Sequence, residues 1–277
     1  MLDFSQRTEL GLHAQVIADV QAVAAPLGIQ PLVVGAFARD LHLAYAHHIP
    51  VTRQTEDIDF ALAIDGWTAF DELRAKLVAS RLFTETKSAH QLRYGDLPID
   101  LVPFGLVETA DRTIAWPPRG DIVMDVFGFR EAQKAAIEVL LPNAVRVRVV
   151  SLPALALLKL VCWQDRRLRS PGKDASDLQL IMTNYLEAGN QERLWDAFVD
   201  WTQAHDFDYA ETGARMLGHD IALLLDADGR TQLTTLLDAQ TDTDARGALP
   251  VDMNRQRPEQ AMRLLLALLR GLTEQNE

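Results

Sequence analysis

A chain of 277 residues, 48% hydrophobic and 24% charged, is long enough for one large or two medium domains around an ordinary globular core. Its net charge of −12 argues against broad, nonspecific nucleic-acid binding, which needs a basic surface, while leaving room for a local basic groove. The N-terminus carries Asp3, Arg7 and Glu9 without an apolar run, and no segment approaches the roughly 18 apolar residues of a membrane span, so the expectation is a cytoplasmic protein with no signal peptide and no membrane partner.

Residues 8–25 have helical spacing, with Leu12, Val16, Val20 and Val23 on one stripe, ended by Pro26 and Gly28. A short buried strand over 31–35 breaks at Gly35 into a helix over 36–47. The loop 48–55 leads to a second strand at 56–63, which carries Asp57 and Asp59. Asp65-Gly66 is a turn signal, and Trp67, Phe70, Leu73 and Leu77 mark a helix over 67–81. Extended segments near 89–94 and 97–103 flank Gly95-Asp96, a hairpin signal; Asp100 stands alone among apolar residues in the second. Segment 111–121 reads as a loop fixed by two prolines, and 122–128 and 136–149 contain short β-rich runs, with Val145-Arg-Val-Arg-Val149 a half-exposed strand. At Ser151-Leu-Pro153 the pattern changes: Pro153 suits a first helical turn with Ser151 near the cap, and helices follow at about 151–168, 174–187, 190–204, 209–226, 230–238 and 258–273. The break near 150 divides the chain into domains 1–150 and 151–277. Segment 238–256, with Asp238, Asp242, Asp244 and Asp252, reads as a loop, and the last helix offers the stripe Met262, Leu265, Leu266, Leu269 and Leu272. Cys162 is the single cysteine; it lies in an apolar run and is expected to be buried and inert.

Several constellations carry chemistry. Residues i and i+2 of a strand share a face, so Asp57 and Asp59 point the same way while Ile58 and Phe60 point into a core. Two like charges held that close oppose each other's ionisation. A lone Asp-x-Asp also suits a solvated strand face, but a divalent cation removes the conflict, and Mg²⁺ favours one or two carboxylates plus substrate phosphates. Asp100 on a neighbouring strand could reach the same metal. Gly35 either makes a plain strand-to-helix turn or lets backbone N–H groups approach a triphosphate. Arg39 either contacts phosphate or pairs with Asp40 or another surface acid. Lys159 and Arg166 lie two turns apart on one helix face, and a lysine in so apolar a run either snorkels to solvent or meets an anion. With Arg167, Arg169 and Lys173 they form a basic segment opposed by Asp165 alone. Asp174 can cap the next helix with Asp177 in its first turn; alternatively Lys173 and Asp177 belong to the site. His47 and His48 read as surface residues. Gly-x-Ser-x-Gly and Walker A patterns are absent.

Taken in order, Gly35-Ala36, Asp57-Ile-Asp59, Asp100, Lys159 with Arg166, and Lys173-Asp-Ala-Ser-Asp177-Leu178 resemble the nucleotidyltransferase superfamily whose fold is shared with DNA polymerase β. Within it they are most similar to the AbiEii/AbiGii-type toxins, including the MenT group. The resemblance covers about residues 30–190. One departure is Ala36, where the family pattern has Gly or Ser: the N–H is kept and the hydroxyl is not. The resemblance implies an α+β architecture, a mixed sheet flanked by helices, followed by a helical domain over 151–277 that closes a nucleotide cleft. It implies transfer of a nucleoside monophosphate from an NTP to an acceptor, such as a tRNA 3′ end or a protein side chain, by the toxin half of a toxin–antitoxin pair. Asp57, Asp59 and Asp100 would hold two Mg²⁺ ions, and Asp100 could help deprotonate the acceptor. Gly35, Ala36, Arg39, Lys159, Arg166, Lys173 and Asp177 would attend the nucleotide, with Lys159 counted among the catalytic residues. The alternatives are a small-molecule enzyme of the antibiotic-modifying type, a non-catalytic nucleotide-binding relative, and a helical interaction module with fortuitous acids.

Overall fold

The structure, a computed structural model, describes residues 1–51, 55–242 and 247–274. It falls into two compact units, Met1–Leu41 with Thr52–Ser151, and His42–Val51 with Leu152–Glu277. The expected loop 48–55 and polar segment 238–256 lie partly outside the described residues, Asp244 among them.

The first unit is built on β1 (Leu2–Asp3), α1 (Gly11–Ala24), β2 (Leu32–Val34), α2 (Gly35–Asp40), β3 (Ile58–Ile64), α3 (Trp67–Ala79), β4 (Phe83–Glu85), β5 (Gln91–Tyr94), β6 (Leu97–Gly105), β7 (Thr113–Ala115), β8 (Val123–Asp125), α4 (Phe129–Lys134), β9 (Ile137–Leu141) and β10 (Val145–Val149). Eight strands form one mixed sheet in the order β1-β9-β10-β2-β3-β6-β5-β4, while β7 and β8 pair separately. β3 lies at its centre, antiparallel to β2 and parallel to β6. Its apolar residues Ile58, Phe60, Ala61 and Leu62 are fully buried, as a central strand requires. α1 packs on α3 and β10 and buries Ala14, Val16, Ile17, Val20 and Ala24. The expected stripe is therefore turned by about one residue: Leu12 is exposed and Val23 half-exposed, while Ala14, Ile17 and Ala24 are buried. The helical run Thr8–Leu27, with a mean hydropathy of 1.2, is long and apolar enough by composition to cross a membrane, contrary to the expectation that no segment approaches this limit. One face of it packs on α3 and β10. The proline-bearing segment 111–121 is not wholly a loop, since it contains β7.

The second unit is helical: α5 (Leu152–Arg166), α6 (Pro171–Thr183), α7 (Gln191–Asp196), α8 (Tyr209–Leu224), α9 (Ala227–Thr241), α10 (Ala248–Met253) and α11 (Pro258–Thr273). α9 and α10 occupy most of what the sequence suggested was a polar loop. α11 docks chiefly on α8 and buries Ala261, Leu264, Leu265, Leu268 and Leu272 while Leu266 is exposed, so its buried face too is offset from the expected stripe. The approach is close: a Cβ at Gly218 would lie 2.0 Å from the Leu268 carbonyl oxygen, and one at Gly271 1.8 Å from that of Arg215. The Ser151 hydroxyl is buried without a hydrogen-bond partner, so the cap expected of it ahead of α5 is not made. Cys162 is half-buried, not fully buried; His47 and His48 are exposed, as expected.

Candidate active site

Strand register assembles the acids. Asp59 on β3 pairs directly with Asp100 on β6, and Val34, the residue before Gly35, pairs with Asp59 from the other side. Asp57 lies one residue ahead of β3. Alternation puts Asp57 and Asp59 on the face opposite Ile58 and Phe60, and the pairing brings Asp100 onto that face. One carboxylate oxygen from each of Asp57, Asp59 and Asp100 lies within 4.8 Å of the others, and all three residues are half-buried. Among the described residues no second group of three metal-ligating side chains converges in this way. The separation is close to the span of two oxygens across a small hard cation, about 4 Å. An all-carboxylate donor set suits Mg²⁺ or Mn²⁺ rather than a thiolate- or imidazole-seeking metal.

Gly35 makes room for Asp59. It takes a φ of +70°, and a Cβ there would sit 1.8 Å from Asp59 Oδ2. Only glycine meets both conditions without strain. Ala36 follows in the first turn of α2, and its methyl is buried.

Of the two readings of Arg39, the structure shows the pairing. Its guanidinium is 1% exposed, and Nε and a terminal nitrogen donate to Asp40 Oδ1 at 2.8 and 2.5 Å. So enclosed, Arg39 offers little surface to a phosphate. The Thr55 hydroxyl donates to Asp40 Oδ2, which ties the approach to Asp57 to the end of α2.

Lys159 meets an anion, but the anions are the protein's own. Its Nζ lies 3.0 Å from Asp174 Oδ1 and 2.6 Å from Asp177 Oδ2, and Arg166 reaches Asp174 Oδ2 at 2.9 Å. Burial pulls the Lys159 ammonium toward the neutral form, yet Asp174 and Asp177 outweigh it and hold the group above the ordinary lysine value. The basic segment is thus partly neutralised. Arg167 lies over the Trp163 ring, while Arg166 and Lys173 keep partly exposed side chains. Asp174 and Asp177 do not cap: α6 starts at Pro171 after Ser170, which places Asp174 in its first turn and Asp177 beyond it, both turned to Lys159.

The sequence reading missed Gln91. It lies opposite Asp100 across the β5–β6 hairpin, and its Nε2 donates to Asp100 Oδ1 at 2.9 Å. The signal was present, because counting outward from the Gly95-Asp96 turn pairs 94 with 97 and so 91 with 100.

A sequence model of the family described as nucleotidyl transferase AbiEii toxin, type IV TA system, matches residues 21–268. No curated protein matches the chain. Among solved structures, the chain is similar to the solution structure of the antibiotic-resistance factor ANT(2'')-Ia (18% identity, TM-score 0.38, covering 69% of this chain and 96% of that one). It is also similar to the crystal structure of ANT(2'')-Ia in complex with adenylyl-2''-tobramycin (22% identity, TM-score 0.37, 68% and 98%). A third likeness is to an antigenic nucleotidyltransferase-like protein from Paracoccidioides brasiliensis (17% identity, TM-score 0.41, 68% and 89%). A central mixed sheet with convergent acids and a family match over most of the chain define a nucleotidyltransferase. The chain belongs to the AbiEii family of nucleotidyltransferase toxins.

Proposed function

We propose that this nucleotidyltransferase is Mg²⁺-dependent and moves a nucleoside monophosphate from an NTP to an acceptor hydroxyl, on a tRNA 3′ end or a protein side chain. The convergence of Asp57, Asp59 and Asp100 carries the reading. When bound, divalent cations between these carboxylates would neutralise charge on the transferring phosphoryl group. The residues themselves would hold and orient: Asp57 and Asp59 from either side of Ile58, Asp100 from the adjoining strand, and Gly35 by giving Asp59 its space. Asp100 could also take the proton of the acceptor hydroxyl. Gly35 and Ala36 would approach the triphosphate with backbone N–H groups.

Lys159, Arg166, Lys173 and Asp177 enter the proposal through the family resemblance. Of these, Arg166 and Lys173 keep partly exposed side chains and would meet the triphosphate, and Lys159 with Asp177 would keep their helices in place. The division into a catalytic domain over 1–150 and a helical domain over 151–277, a cytoplasmic setting and an antitoxin partner belong to the same proposal.

Incubation of the full chain with each labelled NTP, Mg²⁺ and either total RNA, cell protein or a panel of aminoglycosides tests it. Label on RNA or protein that disappears in Asp57→Ala is the expected result. Label on a drug alone would replace the acceptor class with a small molecule. NTP binding without transfer in any arm would leave a non-catalytic relative.

A further inference from the structure

The carboxylate row does not end at Asp100. Asp59, Asp100 and Gln91 are directly registered neighbours on β3, β6 and β5, so their side chains share one face of the sheet. Leu92 and Ile99, the next residues on β5 and β6, are fully buried on the other face. Gln91 is half-buried, and its Nε2 is 2.9 Å from Asp100 Oδ1. A carboxylate only accepts, so the amide must present its NH₂ there.

We propose that Gln91 is a positioning residue for the metal site, holding Asp100 by one oxygen so that the other is presented to the cation. This rests on the reading of Asp57, Asp59 and Asp100 as metal ligands. A carboxylate joined to its strand by a single methylene swings about two side-chain bonds, and one fixed donor removes that freedom. The neutrality of the donor matters. A lysine or arginine at 91 would also hold Asp100, but it would cancel the charge that draws the cation, as Lys159 does for Asp174 and Asp177. An amide orients without competing. Hydrogen-bond partners behind metal ligands commonly carry about 10- to 100-fold in metal affinity.

The test is Mn²⁺ binding to the full chain, read from the electron paramagnetic resonance signal of the free ion, with no nucleotide present. Gln91→Leu should weaken binding about tenfold or more, with little change in melting temperature. Combined with Asp100→Asn, it should add little to the loss from Asp100→Asn alone, because both act through one carboxylate. Wild-type affinity in Gln91→Leu, or a loss that adds in full to that of Asp100→Asn, overturns the positioning role. If wild-type protein itself takes up no Mn²⁺, the metal-site reading falls, and the role of Gln91 with it. Should Gln91→Leu fail to fold, Gln91→Met, unbranched and equally without a donor, carries the same expectations.

Discussion

In the sheet, Asp57, Asp59 and Asp100 bring three carboxylates within 4.8 Å of one another. In the helical unit, Asp174 and Asp177 lie 3.0 and 2.6 Å from one buried ammonium, that of Lys159. The residue type is the same in both places and the company it keeps differs. Three carboxylate oxygens gathered on one sheet face are a donor set that suits a divalent cation, whereas acids gathered on a lysine have their counter-charge built in and serve to join two helices. Asp220 follows the second pattern: Arg193 binds both its oxygens at 2.7 Å, and the Tyr185 hydroxyl donates to it at 2.5 Å.

Substitutions should separate the two regions. The largest effect is expected at Asp59. Asp59→Asn should bring nucleotidyl transfer to background while the melting temperature changes little, since the side chain is half-buried and the amide is nearly the same size. Parallel transfer assays and thermal melts would show it, and a large drop in melting temperature would place Asp59 with the structural acids. Next is Lys159→Met, which removes the buried ammonium shared by Asp174 and Asp177 and should cost about 3–5 kcal/mol in urea denaturation; a loss under 1 kcal/mol would show that the lysine is not their main counter-charge. Gly35→Ala should cost about 1–2 kcal/mol for its left-handed backbone. It should also weaken Mn²⁺ binding, because the new methyl displaces Asp59. Unaltered Mn²⁺ affinity would detach Gly35 from the site.

The smallest effect concerns pH. Burial alone would raise the Asp220 carboxyl, but hydrogen bonds from Arg193 and Tyr185 overcome it and hold it below the usual carboxylate range. A carboxyl depressed in the folded state stabilises the fold above its unfolded pKa, about 4, and that stabilisation is lost as pH falls through the lower, folded value. Wild-type protein should therefore lose stability on acidification below about pH 4 more steeply than Asp220→Asn. Parallel slopes in acid titrations followed by circular dichroism would count against the coupling.

How much of this was legible in the chain follows from the range of each signal. Asp57 and Asp59 share a face by strand alternation alone, and Asp100 stood out because its neighbours are apolar; their meeting needed only β6 beside β3. The strand order that sets it, with β2 antiparallel and β6 parallel to β3, is a long-range fact that local pattern does not hold. Helix faces were misplaced by about one residue in α1 and α11, because small residues, Ala14, Ala261 and the closely packed Gly271, lie on the buried side while larger Leu12 and Leu266 face outward. Two short elements, β7 and α10, were hidden by prolines and polar flanks. The pairing of Lys159 with Asp174 and Asp177 joins two helices, so helix periodicity could mark each residue but not name its partner.

The most direct test is a crystal of the full chain grown with Mn²⁺ and a non-hydrolysable NTP, with the metal located from its anomalous signal. Manganese peaks about 2.1 Å from oxygens of Asp57, Asp59 and Asp100, with triphosphate oxygens completing the coordination, are expected. Manganese bound elsewhere, or a triphosphate held with those three carboxylates outside the coordination sphere, would contradict the assignment of the sheet acids as the metal site.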